Sequence, residues 1–254
     1  MHLYFNILGI SIPSYGLMII TGVLLANLIA RIVIKKEGLD IDDFIILECY
    51  AVLGGLFGAK FLYLITAFKY IDWSRFFEPE YFSALMRGGF VFYGGLIGGI
   101  LLVFIAACFH KIEPVQYIRK MIFLIPFVHA FGRLGCFMAG CCFGIPYHGF
   151  GAVVFPENSF AISGVELFPV QLVEALCLLA ISFIILFLQL KFRFKYTLEL
   201  YFILYGIVRF VLEKYRYDSI RGGFWLFSTS QWISILLIVC AVASLIYNRR
   251  KQLS

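Results

Sequence analysis

The sequence predicts an all-α polytopic membrane protein of about seven transmembrane helices, with the N-terminus outside, the C-terminus cytoplasmic and a small outward loop domain. Three observations carry this. First, 62% of the 254 residues are hydrophobic and 14% charged, against about 25% charged in a soluble globular domain. A soluble core of this length could not bury so much apolar surface, whereas lipid solvates it. Second, charge-poor stretches of about 20 residues, the length that spans a bilayer core of ~30 Å, recur along the chain. Third, basic residues return in alternate connections, as the positive-inside rule requires of cytoplasmic loops. Residues 1–254 read as one transmembrane domain.

The expected spans are 13–34, 43–66, 89–109, 117–139, 169–190, 197–215 and 229–247. No Lys or Arg precedes the first, so it lacks the charged leading region of a cleavable signal and is expected to stay in the mature chain. Period-2 alternation is absent, which argues against a β-barrel. One set of connections holds Arg31, Lys35 and Lys36, then Lys111, Arg119 and Lys120, then Lys191, Arg193 and Lys195, then Arg249, Arg250 and Lys251. An odd number of spans puts all of them on the cytoplasmic side. Topology thus accounts for the net charge of +6, and nucleic acid is not an expected partner. Of the outward segments, 67–88 is amphipathic and aromatic and reads as an interfacial helix. Segment 140–168, rich in Gly and Pro, reads as the loop domain with some strand at Val153-Val154-Phe155-Pro156; 216–228 is short.

Three cations, Lys60, Arg133 and Arg209, fall inside expected spans. Each costs roughly 2.5–3.5 kcal/mol at a helix centre, so each implies a partner, a wet cavity or a function. At 1.5 Å rise per residue, Lys60 lies about 25 Å, Arg133 about 24 Å and Arg209 about 18 Å from the cytoplasmic end of its span. All three therefore fall in the outer half, where convergence on one cavity would make a site for a phosphate-bearing anion. The plainer reading is structural ion pairing: Glu213 follows Arg209 by four positions and shares its face, and Glu174 lies about a turn into the fifth span. A transporter is a rival reading, but the cations cluster at one depth instead of tracing a route across.

Gly54 and Gly58, like Gly94 and Gly98, are spaced four apart, the pattern of close helix packing; room for a lipid head group is the functional addition. Seven cysteines do not read as a disulfide scaffold, and five are scattered singly or sit on apolar segments, as buried thiols do. Cys136, Cys141 and Cys142 raise a thiol-redox or zinc reading. No Cys-x-x-Cys spacing occurs among them, and a zinc site needs about four ligands, with only His129 and His148 as nearby imidazoles.

The motifs then match a family. Tyr15-Gly16-Leu17-Met18, Gly58-Ala59-Lys60-Phe61-Leu62-Tyr63, Tyr93-Gly94-Gly95-Leu96-Ile97-Gly98-Gly99, Gly132-Arg133-Leu134-Gly135-Cys136-Phe137-Met138-Ala139-Gly140, Pro169-Val170-Gln171-Leu172-Val173-Glu174-Ala175 and Tyr205-Gly206-Ile207-Val208-Arg209-Phe210, followed by Glu213 and Arg216, occur in order. Together they resemble the bacterial prolipoprotein diacylglyceryl transferase family along nearly the whole chain. The departures are Lys60 for the family's Arg, Tyr93 and Phe168 for two His, and Cys136 for Asn.

The resemblance implies a multi-pass enzyme of the bacterial cytoplasmic membrane that moves the diacylglyceryl group of phosphatidylglycerol to the lipobox cysteine thiol of a prolipoprotein, with no cofactor. It implies Arg133, Arg209 and Tyr93 as catalytic residues. It also implies a substrate-binding set of Tyr15, Lys60, Gly94, Gly95, Gly98, Cys136, Gly140, Gln171, Glu174, Tyr205, Glu213 and Arg216. Because Tyr93 is a weak base at neutral pH, the group that accepts the thiol proton stays open, with His129, one turn before Arg133, as a candidate. A same-fold enzyme with a different acceptor is the nearest alternative.

Overall fold

A computed structural model describes residues 3–7, 10–217 and 223–253. His2 and residues 218–222 of the expected third outward segment lie outside the described residues. The chain divides into two compact units, Met1–Val33 with Ile118–Ser254, and Ile34–Tyr117.

The chain begins with an antiparallel hairpin of β1 (Tyr4–Ile7) and β2 (Ile10–Pro13), which sequence reading did not foresee. It runs directly into α1 (Ser14–Glu37). After α1 come α2 (Ile41–Thr66), α3 (Pro79–Arg87), α4 (Phe92–His110), α5 (Pro114–Met121), α6 (Leu124–Ala139), α7 (Val170–Phe192), α8 (Thr197–Leu212) and α9 (Thr229–Leu253). Among the described residues five helices are long and apolar enough to cross a membrane, or six if α5 and α6 count as one bent span. Their outward positions are apolar: Leu24, Phe57, Ile97 and Leu176 are all exposed. Water would leave that surface unpaired, whereas lipid tails cover it. Cys49, Cys108 and Cys240 share those exposed faces instead of being buried as expected, since a free thiol behaves as a small apolar group.

The fourth expected span, 117–139, needs correction. It is broken between α5 and α6 with a bend of 54°. Pro126 explains the break: it has no N–H to give the carbonyl of Ile122, and its ring clashes with that oxygen. At 16 residues α8 is about 24 Å long; a 3-10 turn, Glu213–Tyr215, continues it.

Within 34–117, Asp40 caps α2 by accepting from the backbone N–H groups of Asp42 (2.7 Å) and Asp43 (3.4 Å). Those two acids in the first turn suit the positive end of the helix dipole. α2 and α4 then meet backbone to backbone. A β-carbon on Gly54 would overlap the carbonyl of Gly98, one on Gly58 that of Gly94, and the reverse substitutions clash equally. Gly95 faces the carbonyl of Gly55 and the side chain of Ala59. Along this face the room left by Gly94, Gly95 and Gly98 is filled by α2. Gly98→Val should therefore lower the thermal unfolding midpoint of the detergent-solubilised protein. Overpacking costs about 1–3 kcal/mol, and a facing backbone cannot rotate away. An unchanged midpoint would mean that the two helices are free to part.

In the same unit the expected interfacial helix is two 3-10 turns, Phe68–Tyr70 and Trp73–Arg75, followed by α3 with Pro79 at its start. Hydrogen bonds from Ser74 hold the Asp72 carboxyl below its ordinary range. The Lys60 ammonium donates to the carbonyls of Leu85 and, at 2.7 Å, Gly88, and lies 4.9 Å from the Tyr63 ring centre. It thus satisfies carbonyls that the end of α3 leaves open. Lys60→Met should speed limited proteolysis at 85–90 severalfold, and Lys60→Arg should not; equal cleavage of both variants would deny Lys60 this tethering role.

In the other unit, Arg119 forks onto buried Glu199 at 3.0 and 3.1 Å, and Ser244 Oγ donates to the same carboxylate at 2.9 Å. One ion pair thereby ties α5 to α8 and α9. The α1 and α6 helices approach at Gly22, where a β-carbon would meet Phe131, and at Gly135, which lies against the backbone of Tyr15. β3 (Val153–Val154) and β4 (Glu166–Leu167) pair antiparallel over buried Phe155 and Leu167.

Candidate active site

The centre of the larger unit is Glu174, fully buried one turn into α7. Three guanidinium groups surround its carboxylate. Arg133 of α6 brings Nη2 to 3.0 Å of Oε1, Arg209 of α8 brings Nη1 to 3.7 Å of Oε2, and Arg216 brings Nη1 to 4.0 Å of Oε2. Arg209 is shared with Glu213, whose Oε2 accepts from Nη2 at 2.5 Å. Ser228 Oγ donates to the other Glu213 oxygen at 3.0 Å, and Arg209 Nη2 also reaches Ser230 Oγ at 3.2 Å.

Each arginine is placed by local structure. The C-terminal part of α6 carries Arg133, and Gly140 ends the helix in the left-handed region at φ +72°, a conformation that suits glycine. A β-carbon there would also crowd Ser159. Arg216 sits on extended backbone beyond the 3-10 turn and is held by pairing with the loop after α6. Ile145 N–H donates to Tyr215 O at 3.0 Å, Tyr217 N–H donates to Phe143 O at 3.2 Å, and Gly144 bridges Arg216. Gly144 is required here, because a β-carbon would overlap the carbonyl of Phe168.

Among the described residues, three arginines pair with two carboxylates, Glu174 and Glu213. The Glu174 oxygens are near their partners without hydrogen-bond alignment, and Arg133 Nε and Arg209 Nη1 are buried donors with no hydrogen bond among the described residues. Buried donors are nearly always satisfied, so the cluster retains donor capacity for an oxyanion.

Other expected residues line the same region. Gln171 donates from Nε2 to the carbonyl of Cys141 at 2.9 Å, tying the loop after α6 to α7. Tyr205 stacks on Tyr201 at 5.7 Å, and the edge of His129 approaches its ring at 5.6 Å. His129 is within electrostatic range of both Arg133 and Arg209. Tyr15 lies close enough to Arg133, Cys136, Cys141 and Cys142 to feel their charges. Phe168, where the resembled motif has His, packs between the rings of Tyr147 and Tyr215. Tyr93, Lys60 and the α4 glycines belong to the 34–117 unit, where Tyr93 is partly exposed at the start of α4.

Sequence reading foresaw the Arg209–Glu213 pair but not that Arg133, Arg209 and Arg216 share one carboxylate. The signal available was Glu174 itself, a lone acid in an apolar span, which obliges a cationic partner.

Apolar helices around a buried ionic centre define a polytopic membrane protein. The family model described as prolipoprotein diacylglyceryl transferase matches residues 2–247. The chain is 32% identical over 247 residues to phosphatidylglycerol–prolipoprotein diacylglyceryl transferase 2 of Clostridium perfringens, covering 97% of this chain and 94% of that one. It is also 32% identical to the corresponding Clostridium tetani enzyme, covering 98% of each, and 28% identical to that of Lactococcus lactis subsp. cremoris, covering 96% and 92%. The chain belongs to the prolipoprotein diacylglyceryl transferase family.

Proposed function

We propose that this protein transfers the diacylglyceryl group of phosphatidylglycerol to the lipobox cysteine thiol of a prolipoprotein at the outer face of the bacterial cytoplasmic membrane. The observation that carries the proposal is the convergence of Arg133, Arg209 and Arg216 on Glu174 in a member of this family. A phosphatidylglycerol head is a phosphodiester monoanion. Guanidinium forks suit its two non-bridging oxygens. In the reaction a sulfur–carbon bond forms and the glycerol carbon–oxygen bond breaks. The electron pair leaves with glycerol phosphate, which takes up the proton the thiol gives away. Arg133 and Arg209 stabilise the oxyanion as that bond breaks, Arg216 adds positive potential, and Tyr15 and Tyr205 orient the glycerol oxygens. Preorganised donors of this kind supply the largest single part of many rate enhancements.

The five long helices, the bent α5–α6 pair and α8 together make seven crossings. With the basic connections cytoplasmic, the N-terminus lies outside, and the arginine cluster and the 140–168 segment face the outer leaflet.

Incubation of the purified protein with phosphatidylglycerol and a lipobox peptide is the test. Mass spectrometry should find the peptide carrying one diacylglyceryl group in thioether linkage, with glycerol phosphate released. Phosphatidylglycerol consumed with no modified peptide would transfer the reading to another acceptor, which Tyr93 and Phe168 in place of histidines favour. No consumption of lipid would overturn it.

A further inference from the structure

We propose that Cys136, Cys141 and Cys142 form a three-thiolate site for a zinc ion whose fourth position is open to a thiol from outside the chain. The three sulfurs all lie within 4.8 Å of one another. A single point therefore lies within about 2.8 Å of all three, and a closure of roughly half an ångström reaches the zinc–sulfur distance of about 2.3 Å. All three thiols are free of disulfides.

The backbone is arranged to gather them. Cys136 lies in the last turn of α6, Gly140 turns the chain, and Cys141 N–H donates back to the carbonyl of Cys136 at 3.1 Å. Cys142 adopts φ +57°, a left-handed conformation that strains a β-carbon-bearing residue. Gln171, itself buried, fixes the carbonyl of Cys141 from α7. Such outer partners orient metal ligands.

Charge also fits. Three thiolates on a divalent ion carry a net charge of minus one, and the guanidinium groups of Arg133 and Arg216 lie within electrostatic range of the Cys142 sulfur. Among the described residues the group contains three such ligands and no fourth cysteine, histidine or carboxylate. Zinc is almost always four-coordinate, and three protein ligands leave a position for solvent or substrate. An incoming thiol would displace the bound water and bind as thiolate, its proton passing by way of that water to the departing glycerol phosphate. This second half rests on the proposed transfer to a cysteine thiol; the ion site itself does not.

The test uses the whole protein in detergent, freed of metal by chelator and titrated with Cd2+ as a spectroscopic stand-in for Zn2+. One equivalent per chain should raise a thiolate-to-metal charge-transfer band. A single Cys→Ser change at 136, 141 or 142 should weaken binding at least tenfold, and the triple variant should abolish the band, while Cys→Ala changes at 49, 108, 177 and 240 should not. Adding a lipobox peptide should raise the band by about a third, from three thiolates to four. A second measurement needs no variant: Zn2+ should slow alkylation of Cys136, Cys141 and Cys142 in the wild-type protein at least tenfold, as mapped by mass spectrometry. Absence of a stoichiometric band, or protection falling on other cysteines, overturns the site. A band that ignores the peptide overturns the open position alone. Neither readout requires transferase activity, so a protein that binds metal but does not modify the peptide would indict the proposed function instead.

Discussion

Arg133→Ala is expected to cut diacylglyceryl transfer by about a hundredfold to a thousandfold, the effect of removing one preorganised oxyanion donor, and Arg209→Ala by at least as much. The lysine variants separate charge from geometry. Lys keeps the positive charge but offers a point donor where Arg offers a planar fork. Arg133→Lys should therefore retain affinity for phosphatidylglycerol better than rate, with kcat falling more than KM rises. Arg209 is the more constrained of the two, because Nη2 is engaged by Glu213 at 2.5 Å while Nη1 faces Glu174. Its replacement removes the ion-pair partner of Glu213 and one of the three cations around Glu174, and should also lower the yield of folded protein in detergent. The assay is release of labelled glycerol phosphate from phosphatidylglycerol by membranes containing equal amounts of each variant. Wild-type rates in Arg133→Ala would remove the arginine cluster from the chemistry and leave it an ion-pair network.

The long helices were legible because their signal is additive. Some 20 apolar residues in a row leave little choice: α1, α2, α4 and α7 begin and end within a few residues of expectation, and α9 begins where expected and runs six residues further. What failed to show was set by single residues or by distant pairing. Pro126 breaks the fourth span where hydropathy runs on without interruption. The β1–β2 hairpin rests on four-residue strands too short for any period to show. The depth of Lys60 suggested kinship with the arginines, yet its ammonium is engaged by the α3 carbonyls, and no rule of spacing links residue 60 to residues 85 and 88. The cysteines show the reverse case. Gaps of five and one match no ligand motif, but a helix end followed by two left-handed residues, Gly140 and Cys142, folds those gaps into one cluster.

Glu174→Gln should be the most damaging single change in the larger unit, since three guanidinium groups depend on that one carboxylate. A buried ion pair gains little relative to an apolar substitute, but removing one partner leaves charge uncompensated at a cost of about 3–5 kcal/mol. Here Arg133, Arg209 and Arg216 would lose a shared carboxylate at once, with Arg209 still paired to Glu213. The expected result is a clear fall in the thermal unfolding midpoint of the detergent-solubilised protein, accompanied by loss of transfer. Salt should not restore it, because screening hardly reaches the largely buried guanidinium groups left behind. Combining the changes identifies the cause. In Glu174→Gln with Arg133→Gln the pair is removed from both sides, so the double variant should be less destabilised than the two single effects added together. Additive losses would mean that Glu174 and Arg133 act independently despite their 3.0 Å approach. A Glu174→Gln protein as stable and as active as wild type would show that the arginines hold their places without it, and the site would then have to be rebuilt around Glu213.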